Sequence, residues 1–319
     1  MAQLVNHPAD RMTRLPRLCA LFALLATLAG TARAACTVEA LATVPLELSG
    51  GHILITVTIN DTDAVFIMDT GAERTLMSET AVHRLGLERD GWVASTILGI
   101  GGYERRPNAL PHSLRLGGIA LRRRTLTGDT SVMVGPLPVD RIGGRPIAGL
   151  LGRDFLSPFD LDLDLPARRL TLNAVSGCTM GFLPWTTPYA AIPARTPAGN
   201  AMVIETKVDG HALRTLVDTG ASASLLTASG MFLLGLTAEA LEHDPGGNGA
   251  GVGPNPVPMR LHRFTELRIG PDITRDPRLW VASARVVPIV DMLLGADWLL
   301  SRRVWLSYAT RQFFVAVPR

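Results

Sequence analysis

The sequence predicts a mainly β protein made of two similar lobes with short helices. The first observation behind this is a repeat. The stretch "VFIMDTGAERTLM" (65–77) returns as "RTLVDTGASASLL" (214–226), and "LRLGG" (114–118) and "GLLGRDFL" (149–156) return in the same order as "LRIGP" (267–271) and "MLLGADWL" (292–299). Matched blocks in one order mark an internal duplication. The second is the dominance of strand patterns: "HILITVTI" (52–59), "AVFIMD" (64–69), "FDLDLDL" (159–165) and "RLTLN" (169–173) alternate or are β-branched, with turn residues between them. The third is that helical periodicity is confined to 78–86, to its counterpart 227–236, and to a turn or two after each "LLG".

The N-terminus carries Arg11, Arg14 and Arg17, the apolar run "LCALFALLATLAG" (18–30), then "TARA" with Ala32 and Ala34. Charged, apolar and small-residue regions in that order predict a secretory signal over 1–34, cleaved after Ala34. The run is short for a membrane span, so no stable span is expected once the signal is gone. Its removal takes four of the 31 basic residues and one of the 28 acidic ones. The remainder is electrically balanced, which removes the electrostatic case for nucleic acid. Cys19 leaves with the signal, and the two cysteines that remain predict a Cys36–Cys178 disulfide, or else two separate buried thiols.

The repeat sets a first lobe at 35–175 and a second at 198–319. Residues 176–197, rich in Pro, Gly and Thr, read as a linker with one strand inside it. In each lobe an aspartate, Asp69 or Asp218, ends an apolar strand and is followed by Thr and Gly. Gly71 and Gly220 permit either a close backbone approach or an unusual dihedral at such a turn. A duplication generates pseudo-twofold symmetry, and a residue near the axis in one lobe lies beside its equivalent in the other. Two carboxylates meeting there share one proton, since both cannot ionise cheaply. One then acts as general base on a water while the other hydrogen-bonds the carbonyl under attack. No metal, cofactor or covalent intermediate is needed.

On these residues the chain resembles the retropepsin-like aspartic proteases, in the exported bacterial form that fuses two repeats. The resemblance rests on hydrophobic-Asp-Thr-Gly-Ala twice, on the "LLG" block twice, and on "LGIGGYE" (98–104), similar to the Gly-rich flap of that family. It implies a pepsin/retropepsin-like fold, a polypeptide substrate, catalytic Asp69 and Asp218, and Thr70 and Thr219 hydrogen-bonded across the axis. It also implies a flap made by Gly99, Ile100, Gly101, Gly102 and Tyr103, and a structural ion pair between Glu73 and Arg153, whose places in the second copy are taken by Ser222 and Ala296. The second flap would come from "DPGGNGAGVGPNPVPM" (244–259), which lacks the "GIGG" phrase. The expected assembly is a monomer holding an intramolecular pseudo-dimer, placed in the periplasm or secreted.

Rival chemistries find little support. "GGNGAGVG" (246–253) suggests a dinucleotide loop, yet Pro254, Pro256 and Pro258 follow it in place of a helix. The histidines lack paired ligand spacing, and no Gly-x-Ser-x-Gly or Ser-x-x-Lys context appears. The tryptophans 185, 280, 298 and 305 are expected to fill the core or the linker. The alternative to an endopeptidase is a non-catalytic peptide-binding or structural envelope protein on the same scaffold.

Overall fold

A computed structural model describes residues 35–99, 102–122, 130–179, 181–251, 255–284, 286 and 289–317. The expected signal at 1–34 and the flap residues Ile100 and Gly101 lie outside the described residues.

The chain is mainly β. In the first lobe the strands follow one another across a sheet in the order Met133–Val134, Leu76–Met77, Gly149–Leu151, Thr62–Met68, His52–Ile59, Leu114–Leu116 and Ile119–Ala120. The second lobe repeats that order with Arg278–Val281, Leu225–Leu226, Met292–Leu294, His211–Val217, Val203–Val208, Glu266–Ile269 and Asp272–Arg275. Register is kept as well. Leu54 faces Ile67 in one copy, and Val203 faces Leu216 in the other. A one-residue slip would turn every apolar side chain to the wrong face, so burial of one face holds the register in both lobes.

Two of the short helices start at capping residues. Ser78 accepts from the Ala81 N–H at the start of Glu79–Arg84, and Thr227 does the same from Gly230 at Ala228–Leu234. Single turns, Arg153–Leu156 and Ala296–Leu299, follow the "LLG" blocks. Among the described residues no helix is long and apolar enough to cross a membrane.

A six-stranded antiparallel layer joins the two copies, in the order Thr37–Pro45, Arg169–Ser176, Asp160–Asp164, Arg303–Ser307, Gln312–Ala316 and Tyr189–Arg195. The last of these strands comes from the stretch read as a linker, and it pairs with Gln312–Ala316 on one side and Val203–Val208 on the other. The "DLDLD" alternation gives both faces of this layer buried work. Leu161 and Leu163 enter the main core, while buried Asp160 and Asp162 accept from the Trp305 and Trp185 indole N–H groups at 3.1 and 3.2 Å. Arg303 clamps Asp162 through two further hydrogen bonds, so neither carboxylate is left unpaired away from water. Phe182, Leu183 and Trp185 cover this face against Trp305 and Phe314. A disulfide, Cys36–Cys178, ties the start of the layer to the connecting segment.

Two hairpins project from the lobes. In the first, Glu88–Gly99 pairs with Gly102–Leu110 and the ladder runs to Gly99 opposite Gly102, with Tyr103 exposed beside it. In the second, Gly246–Gly249 pairs with Val257–Arg263, which in turn pairs with Arg278–Val281 of the lobe sheet.

Candidate active site

Each Asp-Thr-Gly turn is built by the same strand pairing. Met68 lies parallel to Leu151, and the Asp69 N–H donates to the Leu151 carbonyl at 3.0 Å; Val217, Leu294 and Asp218 repeat this, again at 3.0 Å. Two adjacent strands thus carry the apolar residues into the core and release the aspartate at their edge.

The two turns meet. The Thr70 N–H donates to Thr219 Oγ1 at 3.0 Å and the Thr219 N–H to Thr70 Oγ1 at 3.1 Å. Each hydroxyl passes its own proton to a carbonyl of the opposite lobe, Thr70 to Val217 at 2.8 Å and Thr219 to Met68 at 2.7 Å. Both threonines are fully buried, so four polar groups are satisfied only by this exchange.

The exchange brings the two carboxyl groups together, each against the glycine of the opposite turn and both lining one cavity. Of the two roles open to the turn glycines, close approach is the one used. A Cβ built on Gly71 would overlap the Asp218 carboxylate, and one on Gly220 would overlap that of Asp69. Ala72 N–H donates to Asp69 Oδ1 at 2.8 Å, and the Gly220 and Ala221 N–H groups to Asp218 Oδ1 at 3.0 and 3.1 Å. Burial, joined by the neighbouring Asp218 charge, pushes Asp69 up to about 7. Burial also raises Asp218, against the pull of its two N–H donors.

The expected ion pair is not formed. Among the described residues no salt bridge joins Glu73 and Arg153. The buried Arg153 guanidinium instead donates to the carbonyls of Thr70, Gly71 and Gly199 at 2.8, 2.7 and 2.8 Å, while Glu73 lies exposed next to Gly199. A planar fork with five donors is better matched inside the lobe by converging carbonyls than by one carboxylate at the rim. Arg153 therefore fixes the backbone of the first turn and supplies a positive charge that favours ionisation of both aspartates.

A relay repeated in both lobes was not singled out from the sequence. Thr75 Oγ1 accepts from the Gly152 N–H at 2.9 Å and donates to Asp154 at 2.8 Å; Ser224 does the same between Gly295 at 3.0 Å and Asp297 at 2.7 Å. The signal was available, because both copies carry a hydroxyl residue after the turn and Asp two residues after "LLG".

A cavity of about 610 Å³ opens over the carboxyl groups. Asp69 and Asp218 line its floor, and its walls include His52, Asn248, Met259 and Trp280. Trp280, expected in the core or the linker, is partly buried and lines this space. The second-lobe hairpin takes part through Asn248 and Gly249, whereas the described first-hairpin residues Gly102 and Tyr103 do not line it.

A family model described as aspartyl protease matches residues 55–155 and 204–298, one match for each copy of the repeat. The chain belongs to the aspartyl protease family. Both matches begin in the first strand of the hairpin that leads into the Asp-Thr-Gly turn and end in the helical turn after "LLG", so this is a two-repeat, retropepsin-like aspartic protease. Among solved structures, an aspartic proteinase from Irpex lacteus is similar over 88% of this chain and 97% of its own, with 11% identity and a TM-score of 0.49. No curated protein sequence matches the protease.

Proposed function

We propose that this protease hydrolyses peptide bonds with a water activated jointly by Asp69 and Asp218. The observation that carries the reading is the meeting of two buried carboxyl groups, one from each copy, each packed against the opposite turn at one cavity. Two such groups hold one proton between them more easily than none or two. The ionised member takes a proton from the water, whose oxygen bonds to the scissile carbonyl carbon. The protonated member hydrogen-bonds the carbonyl oxygen as it gains charge. Collapse of the tetrahedral intermediate breaks the C–N bond, and the leaving nitrogen takes a proton from the pair. The threonine exchange and the turn glycines hold the geometry before substrate arrives, and preorganisation of this kind lowers the barrier.

In this reading one chain supplies both aspartates and acts as a monomer. Residues 1–34 direct export, the Cys36–Cys178 disulfide suits an oxidising compartment, and the substrates are envelope or exported proteins. The periplasm is favoured over secretion.

The test is cleavage of an unstructured peptide library by the purified protein between pH 3 and 8, wild type against Asp218→Asn. Cutting by wild type and none by the folded variant supports the shared pair. Peptide binding by both without cutting at any pH would replace this reading with the peptide-binding one.

A further inference from the structure

One ionisable side chain in the cavity has no part in the mechanism above. His52 follows a two-residue turn: Gly50 and Gly51, at φ +57° and +77°, connect Ser49 to its antiparallel partner His52. Residues with a Cβ rarely adopt that pair of angles, so the two glycines permit the tight reversal. The turn is pressed against the opposite lobe, since a Cβ on Gly51 would lie 3.4 Å from the Ser222 Cβ. His52 is thereby delivered to the seam between lobes, against the Gly220 backbone, where it lines the same cavity as both aspartates.

The repeat shows that this is not a structural requirement of the fold. The shared register puts Ala201, fully buried, at the corresponding place in the second copy. The imidazole therefore stands on one side of the pseudo-twofold axis only. Its Nδ1 is closed off from solvent without a well-formed hydrogen bond. The tautomer that carries its proton on this enclosed Nδ1, beside the Gly220 backbone, leaves its lone pair on Nε2. Burial lowers the His52 pKa, which favours that neutral form. Among the described cavity-lining residues Asp69 and Asp218 are the only other ionisable groups.

We propose that His52 is a substrate-binding residue whose Nε2 accepts a hydrogen bond from one backbone N–H of the bound polypeptide, on one side of the scissile bond. An extended peptide offers N–H groups along its length, and a lone acceptor on one wall recognises a single one of them. The assignment rests on the reading of this cavity as the polypeptide cleft. It gives an otherwise pseudo-symmetric site a direction.

The test is a cycle between enzyme and substrate. Wild type, His52→Ala and His52→Gln are compared on a library peptide and on analogues N-methylated at one backbone nitrogen at a time. A neutral hydrogen bond predicts that methylation at one position raises KM about 3- to 10-fold in wild type and leaves it unchanged in His52→Ala. Gln keeps both a donor and an acceptor, so His52→Gln is expected to regain the penalty at that position. It also loses the rise in KM that wild type shows as the imidazole protonates on acidification. The same peptides are titrated calorimetrically against Asp218→Asn. If wild type cuts and every methylation penalty is the same with or without the imidazole, the His52 assignment falls and the peptidase reading stands. If nothing is cut but one binding penalty depends on His52, the peptidase reading falls and the assignment stands.

Discussion

Replacing Thr219 by Val tests the junction on which the site depends. The change keeps the shape of the side chain and removes one oxygen, which accepts from the Thr70 N–H at 3.0 Å and donates to the Met68 carbonyl at 2.7 Å. Thr219 is fully buried, so water cannot replace either bond. Each buried group left unpaired costs about 1–3 kcal/mol, so the loss is about 2–6 kcal/mol. Against a typical stability of roughly 5–15 kcal/mol, this is a large fraction of the whole. Thr70→Val removes the mirror pair, to Thr219 N–H and Val217 O, and is expected to cost a similar amount. Thr219→Ser keeps the oxygen and loses a methyl, for about 1 kcal/mol. Urea unfolding with an unchanged slope reads all three. A Thr219→Val protein within about 0.5 kcal/mol of wild type would refute the claim that this exchange holds the lobes together.

Three further predictions follow from other parts of the molecule. Arg153→Met leaves the buried Thr70 carbonyl and the half-buried Gly71 carbonyl without their donor and is expected to cost about 2–4 kcal/mol, whereas Glu73→Ala should stay within about 0.5 kcal/mol; equal losses in urea unfolding would restore the ion pair. Burial raises Asp69 to about 7, raises Asp218, and raises Asp160 outside the site. A raised carboxyl binds its proton more tightly when folded, so its stabilisation is complete below the unfolded value of about 4 and is lost as pH rises toward neutrality. The melting temperature should therefore fall between pH 4 and 8, and fall less in Asp69→Asn; identical slopes would contradict this. Finally, the disulfide spans a sequence separation of 142, and replacing both cysteines by Ser should lower stability by about 3–5 kcal/mol, with an unchanged urea midpoint counting against it.

Much of the site was legible because its signals are local. An apolar strand ending in Asp-Thr-Gly, the short helical periodicity that follows it, and the matching order of the blocks all lie within a few residues of one another or repeat in register. The partners of Arg153 were not legible. Three carbonyls from residues 70, 71 and 199 converge only after folding, and a carbonyl leaves no mark in a sequence. The role of Trp280 was hidden in the same way, because an aromatic residue in a strand reads alike whether it faces a core or a cleft. The strand Tyr189–Arg195 sits in a Pro- and Gly-rich stretch whose composition reads as connection, and pairing with Gln312–Ala316 gives it its place.

By itself the sequence determined that there are two copies, that each is mainly β, and that each ends a strand in an aspartate on a tight turn. Hydrophobic periodicity and turn chemistry are properties of neighbouring residues, and they survive in the linear chain. Tertiary structure alone decided that the two aspartates meet at one cavity, that a buried arginine braces one turn and not the other, and that, among the described residues, a single histidine lines that cavity. Those outcomes depend on burial and on contacts between residues far apart in the chain. The energy of a carboxylate, a guanidinium or an imidazole is set by what surrounds it once water has been removed.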